Sequence, residues 1–510
     1  MNHEKISMPD HETACPEFDL LVIGGGINGA GIARDAAGRG LKVCLCEKDD
    51  LAGHTSSAST KLIHGGLRYL EQYDFKLVRH ALQERELLLR SAPHIIHPIR
   101  FVLPHNASLR PEWMIRLGLF LYDHLGGRRR LPGSQSVVLN RHVAGQALKD
   151  DYRTGFEYSD CWVRDARLVV LNAMDGAARG AVIWTHTRCV GLSRSTADWT
   201  VTLRNERDGS IRFVRAKAVV NAAGPWVEQV LDAGFTAGRT HGIRFVKGSH
   251  IVVPRLFAHD YAYIFQHGDG RVLFAIPFED DFTLLGTTDI ELDRLPENNQ
   301  ITQKEVTYIC HAVSEYFVRP VEPADVVWSF SGVRPLYDDA AGEASRVTRD
   351  YNLHIDCEQA PILSIYGGKI TTYRRLAEDV LDLMADCLDI QGTPWTATSP
   401  LPGGDLPDAD FARFLIDCAV AYPWLSRDRL QAYAGHYGTR ISQLLAGCDC
   451  EEALGLDFGG GLFEREVIYL TTHEYAETAE DIVWRRTKRG LRMSPEEIAR
   501  LYIRLIERNM

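Results

Sequence analysis

The 510-residue sequence lacks the features that mark several specialised classes of protein. It has no run of about 18 consecutive apolar residues, which is the length that spans a bilayer. Internal repeats and low-complexity segments are also missing, which excludes solenoid, collagen-like and disordered chains. Basic residues are outnumbered, with 57 Lys and Arg against 68 Asp and Glu and a net charge of -11. This balance argues against a general nucleic-acid-binding protein.

The 11 cysteines form no C-x-x-C motif, and the nearest pairs have no further Cys or His at zinc-ligand spacing. We therefore expect reduced thiols, most of them buried, and no metal site. The N-terminus has neither the apolar segment of a signal peptide nor the acid-poor composition of a transit peptide. These absences predict a cytosolic protein, or one bound to the cytosolic side of a membrane. Residues 1–17 form an N-terminal extension to which the sequence assigns no role.

The first pattern that is present is a β-α-β unit with a glycine-rich turn. An apolar strand at 18–23 runs into the glycines, a helix-compatible segment follows, and a second strand ends on Glu47. Gly24, Gly26 and Gly29 fit G-x-G-x-x-G, which permits a tight turn, the approach of a pyrophosphate and close helix packing. Glu47 is placed to accept hydrogen bonds from a ribose. A glycine turn that binds no nucleotide is the alternative, and the ordered strand, helix, strand and acid favour the nucleotide.

Later segments predict the remaining architecture. Residues 218–223 and 362–366 are apolar strands that each run into a glycine turn. Alternating segments between about 240 and 360 predict an antiparallel sheet. Beyond a Pro-rich and Gly-rich linker the chain is helical, and the Ser494-Pro495-Glu496-Glu497 stretch predicts a capping box at a helix start.

Residues 55–69 combine five Ser and Thr side chains with a lysine, a histidine, two glycines and an arginine. These residues form no apolar face at the helical or the strand period. We interpret the stretch as a loop laid along a polar ligand. The alternative is a solvated, capped helix start.

Several longer motifs occur in one order along the chain. They are V-I-G-G-G-I-N-G-A-G at 22–31, T-S-S-A-S at 55–59, K-L-I-H-G-G-L-R-Y-L at 61–70, F-E-Y-S-D-C-W-V at 156–163, K-G-S-H-I-V-V-P at 247–254, G-T-T-D at 286–289, S-G-V-R-P at 331–335, G-G-K-I-T-T-Y-R at 367–374 and W-R-R-T-K at 484–488. Together they resemble the aerobic, FAD-dependent glycerol-3-phosphate dehydrogenases over nearly the whole chain. Residues 408–510 contain no D-x-[DN]-x-[DN]-G calcium loop, so the resemblance is to the bacterial form without calcium control. The resemblance also implies that this form is quinone-linked.

The resemblance implies an α/β fold, α+β overall: a Rossmann-type FAD-binding domain with an inserted antiparallel-sheet substrate domain and an all-helical C-terminal domain. The expected segments are 18–100, 150–240 and 360–390 for the discontinuous FAD-binding domain, 101–149 and 241–359 for the substrate domain, 391–408 for the linker and 409–510 for the helical domain.

The resemblance also implies a reaction. In that reaction sn-glycerol 3-phosphate is oxidised to dihydroxyacetone phosphate by hydride transfer from C2 to flavin N5, and electrons pass to membrane ubiquinone or menaquinone in glycerol catabolism. We expect a homodimer, peripheral on the inner face of the cytoplasmic membrane. The alternatives are a glycerol-3-phosphate oxidase that uses oxygen, a flavin amine oxidase of similar architecture and a non-catalytic flavin-binding protein.

The expected catalytic residues are His64, His250, Arg334 and Lys369. A base must take the C2 hydroxyl proton, and the sequence does not choose between His64 and His250. Reduction places negative charge near flavin N1 and O2, which suits the backbone N–H groups and the cation at Gly368-Lys369.

Permanently charged guanidinium groups suit the substrate phosphate. By resemblance they belong to Arg334 and Arg349, with Arg68, Tyr69 and Lys369 beside the substrate. The cofactor contacts that the resemblance implies come from the glycine motif, the hydroxyl-rich loop and the two later glycine turns. They are Gly24, Gly26, Ile27, Asn28, Gly29, Glu47, Lys48, Thr55, Ser56, Ser57, Ser59, Lys61, Leu62, His64, Gly65, Ala223, Gly224, Gly368, Lys369 and Thr371.

Residues 110–130 predict an amphipathic helix that carries five arginines against one Glu and one Asp. Its apolar residues at helical spacing are Trp113, Met114, Leu117, Phe120, Leu121 and Leu125. Such a helix can lie in an anionic membrane interface. A buried amphipathic helix is the commoner interpretation of the pattern.

Overall fold

A computed structural model describes residues 15–509 apart from 107–109, 128–129, 233–241, 297–298 and 338–349, and the side chains of 68, 71, 72, 508 and 509. The strands are β1 (Glu17–Ile23), β2 (Val43–Cys46), β3 (Leu62–Ile63), β4 (Ile96–His105), β5 (Gln135–Val138), β6 (Thr154–Val163), β7 (Val182–Trp184), β8 (Thr187–Arg194), β9 (Trp199–Asn205), β10 (Ile211–Asn221), β11 (Ile243–Pro254), β12 (Ala262–Gln266), β13 (Val272–Phe278), β14 (Phe282–Gly286), β15 (Ile290–Leu292), β16 (Trp328–Tyr337), β17 (Asn352–Asp356), β18 (Ile362–Tyr366), β19 (Asp457–Gly459) and β20 (Leu462–Phe463). The α-helices are α1 (Ile27–Gly38), α2 (Phe75–Ser91), α3 (Glu112–Leu125), α4 (Asp165–Ala178), α5 (Val227–Asp232), α6 (Gln303–Ser314), α7 (Tyr373–Met384), α8 (Phe411–Ala421), α9 (Arg427–Tyr437), α10 (Ile441–Leu444), α11 (Glu464–His473) and α12 (Pro495–Asn509).

The first sheet contains the predicted β-α-β unit among its eight strands. Its order is β17-β18-β10-β1-β2-β7, with β9 beside β10 and β8 beside β9. β1 pairs in parallel with β2 and β10, and β10 pairs in parallel with β18. Every residue of β2 and β18 is buried, as is typical of parallel strands with both faces covered. Helices α4 and α7 pack against α1 in the same hydrophobic core.

The second sheet is the expected antiparallel one and has ten strands. Its order is β15-β11-β14-β13-β12-β4-β6-β3, with β16 beside β11 and β5 beside β6. Among its pairs only β12 with β4 is parallel in the part of the chain described. Long antiparallel pairs such as β11 with β16 bring residues from distant motifs side by side.

Three strands correct the expected segment boundaries. β6 lies in the segment assigned to the FAD-binding domain, yet it pairs with β4 from His105↔Thr154 to Ile96↔Val163 in the second sheet. β3 joins that sheet as well. β17 lies in the segment assigned to the substrate domain but pairs with β18 in the first sheet. Strand patterns are local and do not specify the partner strand, so the sequence could not determine these memberships.

The C-terminal region is helical as expected, with one addition. The antiparallel pair of β19 and β20 makes the all-helical description incomplete. Gly460 and Gly461 connect the two strands with φ of +55° and +77°, a conformation that suits glycine. The region has its own core, in which Tyr433 and Ile482 are fully buried. Among the described residues, no helix is both long and apolar enough to cross a membrane.

Candidate functional site

A cavity of about 580 Å³ lies between the two sheets. The first sheet contributes the carboxyl ends of β1, β2 and β10, which are adjacent because Ile23 pairs with both Cys46 and Asn221. The second sheet contributes residues of β11 and β16. Parallel sheets bind ligands at this edge, outside the carboxyl ends of their strands.

The glycine-rich turn builds one end of the cavity. Gly24 has a φ of +112°, and a Cβ there would lie 2.5 Å from the Ala222 carbonyl oxygen. Gly26 lines the cavity and precedes the first residue of α1, whose unpaired N–H groups suit a pyrophosphate. The backbone N–H of Ile27 donates to Ser56 Oγ at 2.9 Å, so the hydroxyl-rich loop is fixed against this helix start.

Glu47 is held at the end of β2 by two backbone donors. Its Oε2 accepts from Gly25 N at 2.6 Å, and its Oε1 accepts from Asp49 N at 2.9 Å. A carboxylate oxygen has two acceptor sites, so Glu47 keeps capacity for ribose hydroxyls. Lys48 Nζ lies 4.4 Å from the centre of the Trp226 ring, and both residues line the cavity.

The hydroxyl-rich loop divides into residues that line the cavity and residues that support it. Thr55, Ser56 and Ser59 line the cavity. Lys61, expected at the cofactor, is 1 % exposed and forms an ion pair with Asp165 at 2.8 Å. That correction has a physical reason, because a buried lysine requires a buried anionic partner.

Three further expected cofactor residues support the wall without lining it in the described structure. Ser57 Oγ donates to the His54 carbonyl at 3.1 Å. Gly65 N donates to the Tyr122 hydroxyl at 2.8 Å. Gly29 lets α1 approach the turn, since a Cβ there would lie 1.9 Å from the carbonyl oxygen of Gly24. The other expected cofactor residues all line the cavity.

A further part of the cavity wall, the cationic end, carries Arg334 and Lys369. Arg334 on β16 lines it, and its Nη1 lies 2.5 Å from Asp289 Oδ1. Gly248 makes room for this guanidinium group, because a Cβ there would lie 2.7 Å from Arg334 Nη2. Lys369 Nζ lies 3.8 Å from the centre of the Tyr69 ring, and both line the cavity. Arg349 and the Arg68 side chain lie outside the described residues.

The structure separates the two histidines. His64 lines the main cavity and a smaller one of about 100 Å³ beside it. His250 is 1 % exposed, stacks on Phe330 and has its Nε2 3.0 Å from Thr60 Oγ1. Burial, followed by the charges of Arg334 and Lys61, lowers the pKa of His250 well below its usual 6.5. His250 therefore lies behind Thr60 and does not line the cavity. This corrects the expectation that His250 is a catalytic residue in contact with substrate.

Sequence reasoning missed several residues of the cavity wall. They are Thr60, Trp226, Gly248, Thr287 and, at the smaller cavity, Asp289. The sequence carried a signal for all five. Thr60 belongs to the hydroxyl-rich loop at 55–69, and Gly248, Thr287 and Asp289 belong to motifs that carry the resemblance. Trp226 follows the glycine turn after β10.

Two family models match the chain. FAD dependent oxidoreductase matches residues 19–374, and the C-terminal domain of alpha-glycerophosphate oxidase matches residues 394–501. A glycerol-3-phosphate dehydrogenase of Pseudomonas aeruginosa is 51% identical over 486 residues, which are 95% of this chain and 94% of that protein.

The chain belongs to the family of FAD-dependent glycerol-3-phosphate dehydrogenases.

This membership confirms the resemblance, the fold class, the oxidoreductase class and FAD as the cofactor. A solved structure of the glycerol-3-phosphate dehydrogenase from Bacillus halodurans complexed with FAD superposes with a TM-score of 0.77 at 27% identity, covering 96% of this chain and 90% of that one. A D-erythritol 1-phosphate dehydrogenase of Brucella abortus is 51% identical over 482 residues, 94% of this chain and 96% of that protein. The family therefore includes relatives named for two different polyol phosphates.

The cavity of this family member fits FAD. A Cβ at Gly26 would lie 3.1 Å from Ser56 Oγ. Because glycine has no Cβ, the cavity wall stays open at the start of α1. Glu47 lines the cavity with acceptor capacity left over, and the turn at 367–371 lines it as well. The contacts of individual residues with FAD stay predictions.

Proposed function

We propose that this protein oxidises the secondary alcohol of sn-glycerol 3-phosphate to give dihydroxyacetone phosphate. The observation that carries the proposal is the cationic end of the cavity, where Arg334 and Lys369 lie with His64 in the same wall. Cationic side chains favour the binding of a phosphate with nearly two negative charges. The relatives named glycerol-3-phosphate dehydrogenase support the same substrate.

Arg334 and Lys369 bind the phosphate in this proposal. The contact with Asp289 fixes the Arg334 guanidinium, so little side-chain entropy is lost when substrate binds. The ring of Tyr69 lies under the Lys369 ammonium group and limits its motion. Together they orient the rest of the substrate toward His64.

His64 takes the proton of the C2 hydroxyl in this proposal. Its backbone N–H donates to Thr371 Oγ1 at 3.2 Å, which ties it to the turn at 367–371. Bound FAD supplies the two-electron acceptor for the C2–H bond. When His64 takes the hydroxyl proton, the electrons of the O–H bond stay on oxygen and help the C2–H bond to break. This is the contribution expected of a general base.

The test is anaerobic addition of sn-glycerol 3-phosphate to the FAD-loaded protein. We expect the absorbance band of oxidised flavin to bleach within one turnover. Glycerol without the phosphate serves as the control. It should bleach the band much more slowly, because it offers no phosphate for Arg334 and Lys369 to bind. A band that persists with the phosphorylated substrate would contradict the enzymatic proposal.

We propose membrane quinone as the electron acceptor and a peripheral position on the inner face of the cytoplasmic membrane. Helix α3 supports this proposal, because Trp113, Leu117 and Phe120 are 63 %, 51 % and 57 % exposed on its surface. The test compares peroxide yield with quinone reduction under air. Stoichiometric peroxide without quinone reduction would favour the oxidase alternative. The homodimer stays a prediction.

A second substrate, D-erythritol 1-phosphate, is favoured by one observation. The cavity of about 100 Å³ shares Leu62, His64, Tyr69, Phe274 and Thr287 with the main cavity, so a longer polyol chain has space beside the proposed base. The relative from Brucella abortus carries the name of this substrate. Comparison of kcat/KM for the two phosphates decides between them. A higher value for the four-carbon substrate would replace the three-carbon proposal.

A further inference from the structure

Two cysteines beside the first sheet lie in contact. Cys357 follows β17 and Cys387 follows α7, and their Sγ atoms are 3.1 Å apart. Cys357 is exposed and Cys387 is half-buried, so a small oxidant in solution can reach the pair. A disulfide bond measures about 2.05 Å, so the sulfurs need to approach by only about 1 Å.

Ordered structure holds both cysteines. Asp356, the residue before Cys357, ends β17 and forms an ion pair with Arg194 at 2.9 Å. The backbone N–H of Cys387 donates to the Met384 carbonyl at 3.0 Å, which continues the last turn of α7. The contact between the sulfurs therefore joins the first residue after β17 to the turn that follows α7.

The pair encloses a functional segment. From Cys357 the chain runs through β18, then through the turn at 367–371 that lines the cavity, and then through α7 to Cys387. The cysteines are 30 residues apart in sequence. A bond between them closes this segment into a covalent loop at its ends.

We propose that Cys357 and Cys387 are a modification site, at which hydrogen peroxide forms a reversible disulfide bond. One thiolate attacks a peroxide oxygen, the O–O bond breaks, and a sulfenic acid forms as hydroxide leaves and takes a proton to become water. The second thiol attacks the sulfenic sulfur, the S–S bond forms, and a second water leaves. Two thiols are oxidised and one peroxide is reduced to two waters. A dithiol reductant reverses the bond by thiol–disulfide exchange.

Either thiol can start the reaction. Desolvation first, and then the hydrogen bond shared with Cys387, raise the pKa of Cys357 to about 11. Either sulfur can be the donor in the contact between them. The thiol that is oxidised first becomes the sulfenic acid, and the other acts as the resolving thiol.

The experiment uses the FAD-loaded full chain, reduced with dithiothreitol and freed of it. One equivalent of hydrogen peroxide is added, remaining thiols are alkylated, and the protein is analysed by intact mass and peptide mapping. We expect two fewer alkyl groups than in the reduced protein, and a linked peptide pair that contains both cysteines. The link should disappear with dithiothreitol, and it should raise the Tm by about 3 °C because the closed loop restricts the unfolded chain.

The controls are single variants. Cys357→Ser and Cys387→Ser should each abolish the linked peptide while FAD content and substrate bleaching stay as in the unmodified protein. Cys448→Ser, at another half-buried cysteine, should leave the linked peptide unchanged. The inference is overturned if peroxide leaves both thiols open to alkylation, drives either one to a sulfinic acid, or links a different pair.

Discussion

His64 and His250 occur in equally conspicuous motifs, and only the surroundings of their rings distinguish them. His64 lines the cavity, whereas His250 is buried between Phe330 and Thr60. A general base must reach the proton that it takes, either directly or through one water. His250 acts on the site through Thr60, which makes it a positioning residue.

His64→Gln should lower kcat by about 10²-fold to 10⁴-fold, because the proposed general base is removed. FAD content should be unchanged, and anaerobic stopped-flow reduction of the flavin measures the effect. His250→Gln should leave kcat within about tenfold of the unmodified protein and should keep the pH profile of kcat. A larger loss in His250→Gln than in His64→Gln would contradict the assignment.

Arg334→Ala should raise the KM for sn-glycerol 3-phosphate by about 10-fold to 100-fold, because a charge-assisted phosphate contact is worth about 1.5–3 kcal/mol. The variant also leaves Asp289 without this partner, which adds repulsion toward the phosphate. FAD content should change little. Arg375→Ala is the matched control, since Arg375 pairs with Asp379 on the exposed side of α7. Equal losses of substrate affinity and FAD content would identify Arg334 as structural.

At the scale of an element, the sequence pattern of helix α3 did not determine what its apolar face contacts. The apolar spacing predicted the helix, but it is equally typical of a buried face and of a membrane-facing one. In the structure Leu119 and Tyr122 are buried, and Trp113, Leu117 and Phe120 are exposed. The exposed side is the one that a lipid surface could cover.

The triple variant Trp113→Ser, Leu117→Ser and Phe120→Ser should bind vesicles of anionic lipid at least about tenfold more weakly, because each large apolar side chain contributes about 1.5–3 kcal/mol when buried. Sedimentation with vesicles measures the binding, and dye-coupled activity in solution should be retained. The control pair Ile416→Ser and Val420→Ser changes residues of α8 that are 66 % and 78 % exposed. Equal loss in both variants would argue against α3 as the membrane surface.

At the scale of the whole molecule, buried ion pairs join the C-terminal region to the elements around the first sheet. Arg167 on α4 contacts Glu474, just after α11, at 2.8 Å, and both side chains are at most 2 % exposed. Arg486 contacts Asp50 at 2.6 Å in a similar environment. Such pairs are costly to desolvate and costly to break, so they specify how the two regions dock.

Arg167→Leu should reduce the free energy of unfolding by about 3–5 kcal/mol, because Glu474 then carries a buried charge without this partner. Urea unfolding followed by tryptophan fluorescence measures the change. The double variant Arg167→Leu with Glu474→Leu should recover most of the loss, since both charges are removed. If the double variant is no more stable than the single one, the pair contributes to the free energy of unfolding through packing and not through charge.

Histidines whose pKa is lowered in the folded protein should make the molecule sensitive to acid. Burial, and then Arg164, lower the pKa of His97 to about 4, so the unfolded chain binds a proton that the folded chain does not between about pH 6.5 and 4. The free energy of unfolding therefore falls as pH drops through this window, by about 1.4 kcal/mol from this site at about pH 5.5. His97→Asn should flatten the pH dependence of the urea midpoint, and His311→Asn, which alters an exposed histidine, should not.

The sequence by itself determined the parts of this protein that depend on neighbouring residues. The glycine turn with Glu47, the capping box in which Ser494 and Glu497 exchange backbone hydrogen bonds, and the family motifs were all recognisable, because each spans a few dozen residues at most. The fold class and the cofactor followed from them.

Only the tertiary structure decided which distant residues meet. It paired Lys61 with Asp165, outside the lining of the cavity. It placed β6 in the second sheet and brought Cys357 onto Cys387. It also put His64 at the cavity and His250 behind Thr60. The physical reason is common to all of these. Burial and charge compensation act between elements far apart in the chain, and a local pattern carries no information about its partner.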